Sequence, residues 1–501
     1  MQAAPERTGH AIISSFLGSS PFWYKRTLIG FLALNILLYF TAGPLATSWV
    51  ILGEFIFTLA MALKCFPLQT GGLLALQALF LGLTDAATVY REVEHGLPVL
   101  LLVIYMVAGV HFLREMLFRI ISRILLGIRS RIFLNFVTIS VVALLSAFLD
   151  ALTILAVLMA TATGFYEVYN RAVPGVRYEG EPDPDDAYIN SLQRKDLNDF
   201  RAMLRSLLMH GAVGTTIGGV FTLVGEPQNV MIGHEAGWNF VEFTRHVSTV
   251  ALPTLLAGMV TCLALEKLRW FGYGAELPPG VRGILEDEDR KLRAEGTIRD
   301  RMLMAAQAIV AVLMVLALAL HVAEIGLIGL AVIVLMTALT GVTDEHRLAK
   351  SFASGLPFAS LLVIFYVIVA MIESQHMFKP VIHWVLGFED SAQPMLIFLT
   401  NGLLSAISDN VFVATIYMGP LKEAFEQGLG SRELFDAQSV AVVMGTGIPG
   451  MSTPNGQAAF LFLLMSEIAP KIRLGYGRMV WMAFPYFVIC TVVSGIALSR
   501  L

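Results

Sequence analysis

The stretch LLSAFLDALT, residues 144–153, places Asp150 inside a long apolar run, and the stretch LLSAISDNVF, residues 403–412, does the same for Asp409. The two aspartates lie 259 residues apart in the same local context. A carboxylate at the centre of a bilayer costs about 3 kcal/mol or more, so it marks a functional site by default. The sequence carries this costly residue twice.

The composition indicates a polytopic membrane protein. Of 501 residues, 56% are hydrophobic and only 14% are charged, whereas a soluble domain has about 25% charged residues. The net charge is −4, and the basic residues cluster near apolar runs, so no nucleic-acid partner is expected. Cys65, Cys262 and Cys490 have no metal-ligand spacing, and we expect packing roles for them and no cofactor.

Apolar runs of about 20 residues predict an all-α fold. The first 26 residues lack the features of a signal peptide, and Lys25 and Arg26 directly precede the first run, which predicts a cytoplasmic N-terminus. The predicted spans are 27–46, 48–64, 69–84, 97–113, 248–266, 302–321, 325–341, 356–372 and 479–498.

The chain repeats itself. GLTD at 82–85 and GLP at 96–98 return as GVTD at 341–344 and GLP at 355–357, again 259 residues later. We expect Asp85 and Asp344 to be turn or cap residues. Two copies of one domain-sized unit therefore follow each other along the chain.

A second repeated signature follows each aspartate. GTTIGGVFTLVGEPQN begins at Gly214 and GTGIPGMSTPNGQ at Gly445, and both contain GTxIxG and then a threonine, Thr222 or Thr453. This spacing is 231 residues, because the first copy has an extra hydrophilic loop at about 171–200. Glycine and proline break helices, and unwound backbone at membrane depth survives only where it is buried or lines a cavity. We predict broken helices at 208–233 and 439–465.

Charge predicts that the two repeats are inverted in the membrane. Five arginines between residues 114 and 131 indicate a cytoplasmic interfacial helix, whereas the corresponding region of the second copy, 372–390, is mainly acidic. Basic residues on both sides of the Asp150 run favour a re-entrant hairpin at 132–166, with its counterpart at 391–419. The predicted organisation is a cytoplasmic N-terminus at 1–26, a first repeat with leading spans at 27–269, a cytoplasmic linker at 270–301 and a second inverted repeat at 302–501.

Corresponding broken helices in two inverted halves indicate a transporter's binding site. Asp150 and Asp409 are the predicted proton- and cation-binding carboxylates. The further site candidates are Ser146, Thr222, Gly225, Glu226, Asn229, Ser405, Ser408, Asn410, Ser452, Thr453 and Asn455. The role of Glu226 stays open, because its counterpart is Gln457. Glu54, Glu467 and His111 look isolated near span ends, which favours structural or water-facing roles.

At these residues the sequence resembles the NhaB-type Na⁺/H⁺ antiporters of Gram-negative bacteria, within a superfamily that also holds Na⁺-coupled dicarboxylate symporters. The similarity extends through LNDFRAMLRSLLMHGAVGTTIGGVFTLVGEPQN and SAISDNVFVATIYMGPL. It implies an inner-membrane homodimer in which a transport domain moves against a scaffold domain in an elevator-like way. The symporters have Ser-Asn-Thr at each hairpin tip, whereas this chain has Asp150-Ala151-Leu152 and Ser408-Asp409-Asn410.

We therefore expect a transporter and not an enzyme, exchanging Na⁺ or Li⁺ for H⁺ across the bilayer. One alternative is Na⁺-coupled uptake of a small anion such as a dicarboxylate, although two aspartates would repel an anion. Another is an intramembrane aspartyl protease, whose GxGD motif is absent around both aspartates. Binding of a dicarboxylate would identify the first alternative, and cleavage of a peptide the second.

Overall fold

A computed structural model describes residues 15–149, 151–172, 191–294, 297–353, 355–377, 380, 384 and 387–501. Every regular element within these ranges is helical, which confirms the predicted all-α class. Asp150 and most of the predicted loop at 171–200 lie outside the described residues. Contacts divide the chain into two units, Met1–Leu97 with Pro357–Trp384, and Pro98–Leu356 with Val385–Leu501. These units are defined by contacts, whereas the predicted repeats at 27–269 and 302–501 are defined by sequence similarity. The repeat boundaries therefore stay a prediction.

The first unit is built from mainly apolar helices, two of which, Pro44–Ala60 and Pro67–Phe80, begin at a proline. Pro44 starts the second helix directly after Gly43, whose φ of +88° ends the preceding turn, so the first helix stops earlier than the predicted 27–46 span. The helices are Phe22–Thr41, Pro44–Ala60, Pro67–Phe80, Ala86–His95 and most of Leu356–Ser374.

A buried polar cluster lies inside the first unit. The Asn35 amide donates to Glu54 Oε2 at 2.7 Å and to Gln77 Oε1 at 3.0 Å, and Gln77 donates to the Leu32 carbonyl at 2.6 Å. Glu54 is only 5% exposed and is hydrogen-bonded, so of the two roles expected for it the structural one fits and the water-facing one does not. Its partner Asn35 lies on another helix, and Gln77, which also accepts from Asn35, lies on a third, so no local pattern could identify the cluster.

The second unit holds the remaining helices. They are Leu97–Leu101, the π-helical turn Leu102–Met106, Val107–His111, Arg114–Gly127, Arg131–Ser146, Ala151–Ala172, Ser191–Gly219, Pro227–Ala236, Phe240–Leu268, Pro279–Ala294, Ile298–Ala319, Ile325–Thr340, Glu345–Phe352, Gln393–Ser405, Asn410–Glu426, Arg432–Gly447, the 3₁₀ turn Pro449–Ser452, Ala458–Met465, Ile468–Lys471 and Tyr476–Leu498.

Five of the described helices are long and apolar enough to cross a membrane, or six if Ala86–His95 and Leu97–His111 count as one span. The five are Ala151–Arg171, Phe240–Leu268, Ile298–Ala319, Leu356–Ser374 and Tyr476–Leu498. The predicted spans 48–64 and 325–341 correspond to shorter apolar helices of 17 and 16 residues. This pattern confirms a membrane protein with several spans.

The predicted linker at 270–301 contains a packed helix, Pro279–Ala294. Val281 and Leu285 are buried, and Arg282 Nη1 donates to the Leu126 carbonyl at 3.1 Å, at the end of the arginine-rich helix Arg114–Gly127. The linker is thus tied to the second unit by apolar and polar contacts.

Asp85 and Asp344 cap helices at equivalent places in the repeat, as predicted. Asp85 accepts from the amides of Ala87 and Thr88, and begins helix Ala86–His95. Asp344 begins helix Glu345–Phe352 in the same way. Side-chain oxygens at this position satisfy amides that the first helical turn leaves unpaired.

Candidate functional site

The two aspartate motifs each join a pair of apolar helices in the second unit. In the first copy, Arg131–Ser146 is followed by Ala151–Ala172, and Asp150 lies outside the described residues. Its described neighbours Leu149 and Ala151 are buried. In the second copy, Gln393–Ser405 is followed by Asn410–Glu426.

Asp409 is the N-cap of helix Asn410–Glu426. Its Oδ1 accepts from the Val411 amide at 2.9 Å and from the Phe412 amide at 3.3 Å. The side chain is half-buried. The carboxylate therefore satisfies two backbone amides that the first turn of this helix leaves unpaired.

The described helices are interrupted where both Gly-rich signatures occur. At the first signature, helix Ser191–Gly219 ends and the next helix begins at Pro227. At the second, helix Arg432–Gly447 ends, and the next α-helix begins at Ala458 after a short 3₁₀ turn. Proline at the first helical position lacks an amide that would be unpaired there anyway, so Pro227 suits the restart. Both interruptions leave backbone carbonyls that a helix would otherwise use.

Hydroxyl groups bind each interruption to the aspartate motif through matched contacts. Ser146 Oγ donates to the Thr215 carbonyl at 3.0 Å, and Ser405 Oγ donates to the Thr446 carbonyl at 2.8 Å. The serines are 259 residues apart and their acceptors 231, as in the sequence repeat.

The two threonines of the signatures are matched as well. Thr222 Oγ1 donates to the Ala147 carbonyl, and Thr453 Oγ1 donates to the Ala406 carbonyl. Both acceptors lie between the helices of an aspartate motif. The predicted site residues Ser146, Thr222, Ser405 and Thr453 therefore come together in two equivalent arrangements.

Glycines allow the two sides of each interruption to touch. A Cβ added to Gly225 would lie 2.1 Å from the Gly219 carbonyl oxygen, and one added to Gly456 would lie 2.3 Å from that of Gly450. Real Cβ atoms do not approach this closely, so both positions require glycine. Gly225 was predicted for the site, whereas Gly456 was missed although it occupies the equivalent place.

An amide side chain hydrogen-bonds across each helix interruption. Asn229 Nδ2 donates to the Gly219 carbonyl at 2.9 Å, and Gln457 Nε2 donates to the Gly447 carbonyl at 2.6 Å. In each case the amide lies ten residues after its acceptor. The role of Gln457 was missed, and the signal that could have revealed it is this shared spacing from a glycine to an amide.

The two interrupted segments meet within the second unit. A Cβ added to Gly447 would lie 2.4 Å from Val220 Cγ1, so the last residue of one helix contacts the first residue after the other. The structure thus brings the two predicted broken segments side by side.

Two arginines outside the predicted site residues hydrogen-bond to carbonyls at helix ends. Arg201 Nε donates to the Lys471 carbonyl at 3.0 Å, and Arg432 Nη2 donates to the Ala236 carbonyl at 2.8 Å. The arginines are 231 residues apart. Cations at the carboxyl ends of helices stabilise the helix dipole.

The remaining candidates offer oxygens of different kinds. Ser408 Oγ and Asn229 Oδ1 are buried without a hydrogen-bond partner, whereas Asn410 accepts from Ser405. Glu226 is buried and accepts from Gln228 Nε2. Ser452, Thr453 and Asn455 are half-buried. Among the described residues no group of three or more His, Cys, Asp or Glu side chains could hold a metal ion, so oxygen donors of other kinds would complete a cation site.

The chain matches known proteins over almost its whole length. A family model described as "Bacterial Na+/H+ antiporter B (NhaB)" matches residues 5–500. The protein named Na(+)/H(+) antiporter NhaB from Pseudomonas entomophila (strain L48) is 54% identical over 480 residues, which cover 96% of each chain. The protein of the same name from Saccharophagus degradans is 53% identical over 491 residues, 98% of each chain. The resemblance found in the sequence is confirmed, and the chain belongs to the NhaB family of bacterial Na⁺/H⁺ antiporters.

Proposed function

We propose that this protein exchanges cytoplasmic Na⁺ or Li⁺ for external H⁺, with Asp150 and Asp409 as the groups that bind either a cation or a proton. The observation that carries the proposal is the matched pair of broken helices, each joined to an aspartate motif by a serine and a threonine hydroxyl. The names of the relatives agree with this activity.

The chemistry of exchange follows from a single carboxylate having two alternative occupants. Protonation removes the charge that attracts Na⁺, and a bound Na⁺ disfavours protonation. Backbone carbonyls at the interruptions and hydroxyls such as that of Ser408 supply neutral oxygens of the kind that hard cations prefer. Because the two occupants exclude each other, loading one ion on each side of the membrane gives antiport.

Alternating access completes the cycle. Moving a bare carboxylate through the bilayer is costly, so only the loaded transport domain crosses. We propose inverted repeats with re-entrant hairpins at 132–166 and 391–419, an elevator-like movement, a homodimer, and an inner-membrane location with a cytoplasmic N-terminus. The repeated contacts at spacings of 259 and 231 residues support two related halves.

Everted membrane vesicles from a strain without its own Na⁺/H⁺ antiporters test the function directly. A respiration-driven pH gradient is followed with a fluorescent dye, and Na⁺, Li⁺ or K⁺ is then added. We expect Na⁺ and Li⁺ to dissipate the gradient in vesicles that contain the protein and not in vesicles without it.

Two other outcomes would contradict antiport. If Na⁺ leaves the gradient intact but a dicarboxylate enters together with Na⁺, the protein is a symporter. If neither ion movement occurs and a membrane-embedded peptide is cleaved, the two aspartates serve hydrolysis. The uptake assay and the cleavage assay use the same vesicles, so the amount of inserted protein is the same in both.

A further inference from the structure

A second buried group of titratable side chains lies in the second unit, apart from the candidate cation site. His210 is on helix Ser191–Gly219, Glu266 on helix Phe240–Leu268 and Tyr486 on helix Tyr476–Leu498. All three side chains are fully buried at 0% exposure. None of them belongs to the repeated motifs, and the proposed exchange reaction does not use them.

The geometry joins the three side chains in one chain of hydrogen bonds. His210 Nε2 lies 3.0 Å from Glu266 Oε1, and His210 Nδ1 lies 2.6 Å from the Tyr486 hydroxyl. Tyr273 stacks on the imidazole with ring centroids 4.5 Å apart and donates its own hydroxyl proton to the Met482 carbonyl. Cys262 Sγ also lies 3.9 Å from Nε2, so both imidazole nitrogens have partners and the ring is held in place.

The groups that face His210 can be named element by element. Helix Phe240–Leu268 contributes Glu266 and Cys262, helix Tyr476–Leu498 contributes Tyr486, and the segment after residue 268 contributes Tyr273. Helix Ala151–Ala172 approaches the neighbouring Gly211 with the apolar Leu158. Within the described part of the chain no Lys or Arg side chain hydrogen-bonds to Glu266, and its Oε2 has no hydrogen-bond partner.

The burial of this pair favours a state in which the two side chains share one proton. A neutral imidazole beside an ionised Glu266 would leave one buried negative charge, which costs several kcal/mol without a cation. One added proton gives either an imidazolium with a carboxylate or a neutral imidazole with a carboxylic acid, and both are neutral overall. Tyr486 suits either state of Nδ1, because its hydroxyl can donate or accept.

We propose that His210 and Glu266 form a second proton-binding site, separate from Asp150 and Asp409, whose occupancy sets the pH range of exchange. The link to the cation site is helix Ser191–Gly219 itself. It carries His210, then Thr215, whose carbonyl binds Ser146, and it ends at the first interruption. Loss of the proton leaves a buried charge, and a shift of this helix or entry of water relieves it. The effect on exchange rests on the proposed antiport, whereas proton binding does not.

Solid-state NMR of the full chain in lipid, labelled with ¹⁵N-histidine, tests the proton binding. The chain has ten histidines, and the His210→Gln variant identifies the His210 signals. We expect these signals to titrate, and their midpoint to fall by about 1 pH unit or more in Glu266→Gln, because a carboxylate at hydrogen-bond distance changes a midpoint by about 1–3 units. His346→Gln is the control, since His346 is exposed on helix Glu345–Phe352.

The pH profile of Na⁺-dependent exchange in everted vesicles tests the consequence. We expect the profile of Glu266→Gln to move to lower pH by a similar amount, that of Tyr486→Phe to move less, and that of His346→Gln to stay in place. A purely structural role would lower the amount of folded protein without moving the midpoint. Tyr486→Phe removes only one oxygen atom. If Glu266→Gln does not insert into the membrane, the profile of Tyr486→Phe still tests the proposal.

Three results separate the possibilities. The proton site is overturned if the His210 signals do not change with pH between about pH 5 and pH 10 in the unmodified protein. It is also overturned if their midpoint in both Glu266→Gln and Tyr486→Phe equals that of the unmodified protein. A normal titration with unmoved exchange profiles overturns its role in setting the pH range. A normal titration in a protein that exchanges no Na⁺ supports the proton site and overturns the proposed antiport instead.

Discussion

Replacing Asp409 by asparagine separates the charge of this residue from its structural role. Both capping hydrogen bonds go to one oxygen, Oδ1, from Val411 and Phe412. The asparagine side chain has an oxygen at the same place, so it keeps the cap and loses only the charge. Alanine at this position loses both.

The expected magnitudes differ strongly between stability and transport. Loss of a cap to alanine costs about 1 kcal/mol of stability, whereas asparagine and aspartate are about equally good N-caps. A unit charge about 4 Å from a cation contributes about 4 kcal/mol at an effective dielectric constant of 20. This corresponds to an affinity change of about 10³-fold, at 1.4 kcal/mol per factor of ten. We therefore expect Asp409→Asn to lose exchange while unfolding at nearly the original temperature.

Asp344 supplies a matched control. It caps helix Glu345–Phe352 through hydrogen bonds of 3.3 Å and 3.4 Å from the amides of His346 and Arg347, and it lies outside the candidate site. Asp344→Ala should lower the unfolding temperature and keep exchange, whereas Asp409→Asn should do the reverse.

The assay is Na⁺-dependent dissipation of the pH gradient in everted vesicles, with the amount of inserted protein measured in the same membranes. Thermal unfolding of the purified variants gives the stability comparison. Exchange by Asp409→Asn at the normal rate and pH dependence would refute the proposed role of this carboxylate. Loss of exchange in Asp344→Ala at normal protein levels would show that capping alone accounts for such losses.

Four further predictions address the site and the topology. Asp150→Asn should abolish exchange, and in the unmodified protein the Na⁺ concentration for half-maximal exchange should rise as pH falls; a pH-independent value would contradict competition. Gly225→Ala should impair exchange because a Cβ there would lie 2.1 Å from a carbonyl oxygen, whereas Gly164→Ala, with open space around it, should not; equal activity would return Gly225 to simple packing. Cysteines replacing the exposed Lys195 and Glu426 should be labelled from opposite sides of the membrane, and labelling of both from one side would exclude inverted repeats.

Much of the site could be predicted because it depends on local chemistry. An aspartate inside an apolar run is visible without any structure, since its cost depends on the surrounding residues alone. The interruptions after Gly219 and Gly447 were predicted from glycine and proline content, because these residues change backbone freedom wherever they occur. The repeated spacing of 259 residues then paired the two halves.

Contacts between distant helices were not predictable in the same way. Glu54 looked isolated in the sequence, yet its partner Asn35 lies on a separate helix. Arg201 and Arg432 are ordinary basic residues in the sequence, and only the packing brings each to the carboxyl end of another helix.

The sequence by itself determined the membrane class, the two aspartates and the two places where a helix must break, because apolar length, charge and backbone freedom are properties of neighbouring residues. Only the tertiary structure decided that Ser146 binds the Thr215 carbonyl, that Val220 meets Gly447, and that His210 lies between Glu266 and Tyr486. The last contacts join residues 56 and 276 positions apart. Such pairs depend on how helices rotate and cross, which helical periodicity limits to a face but does not assign to a partner.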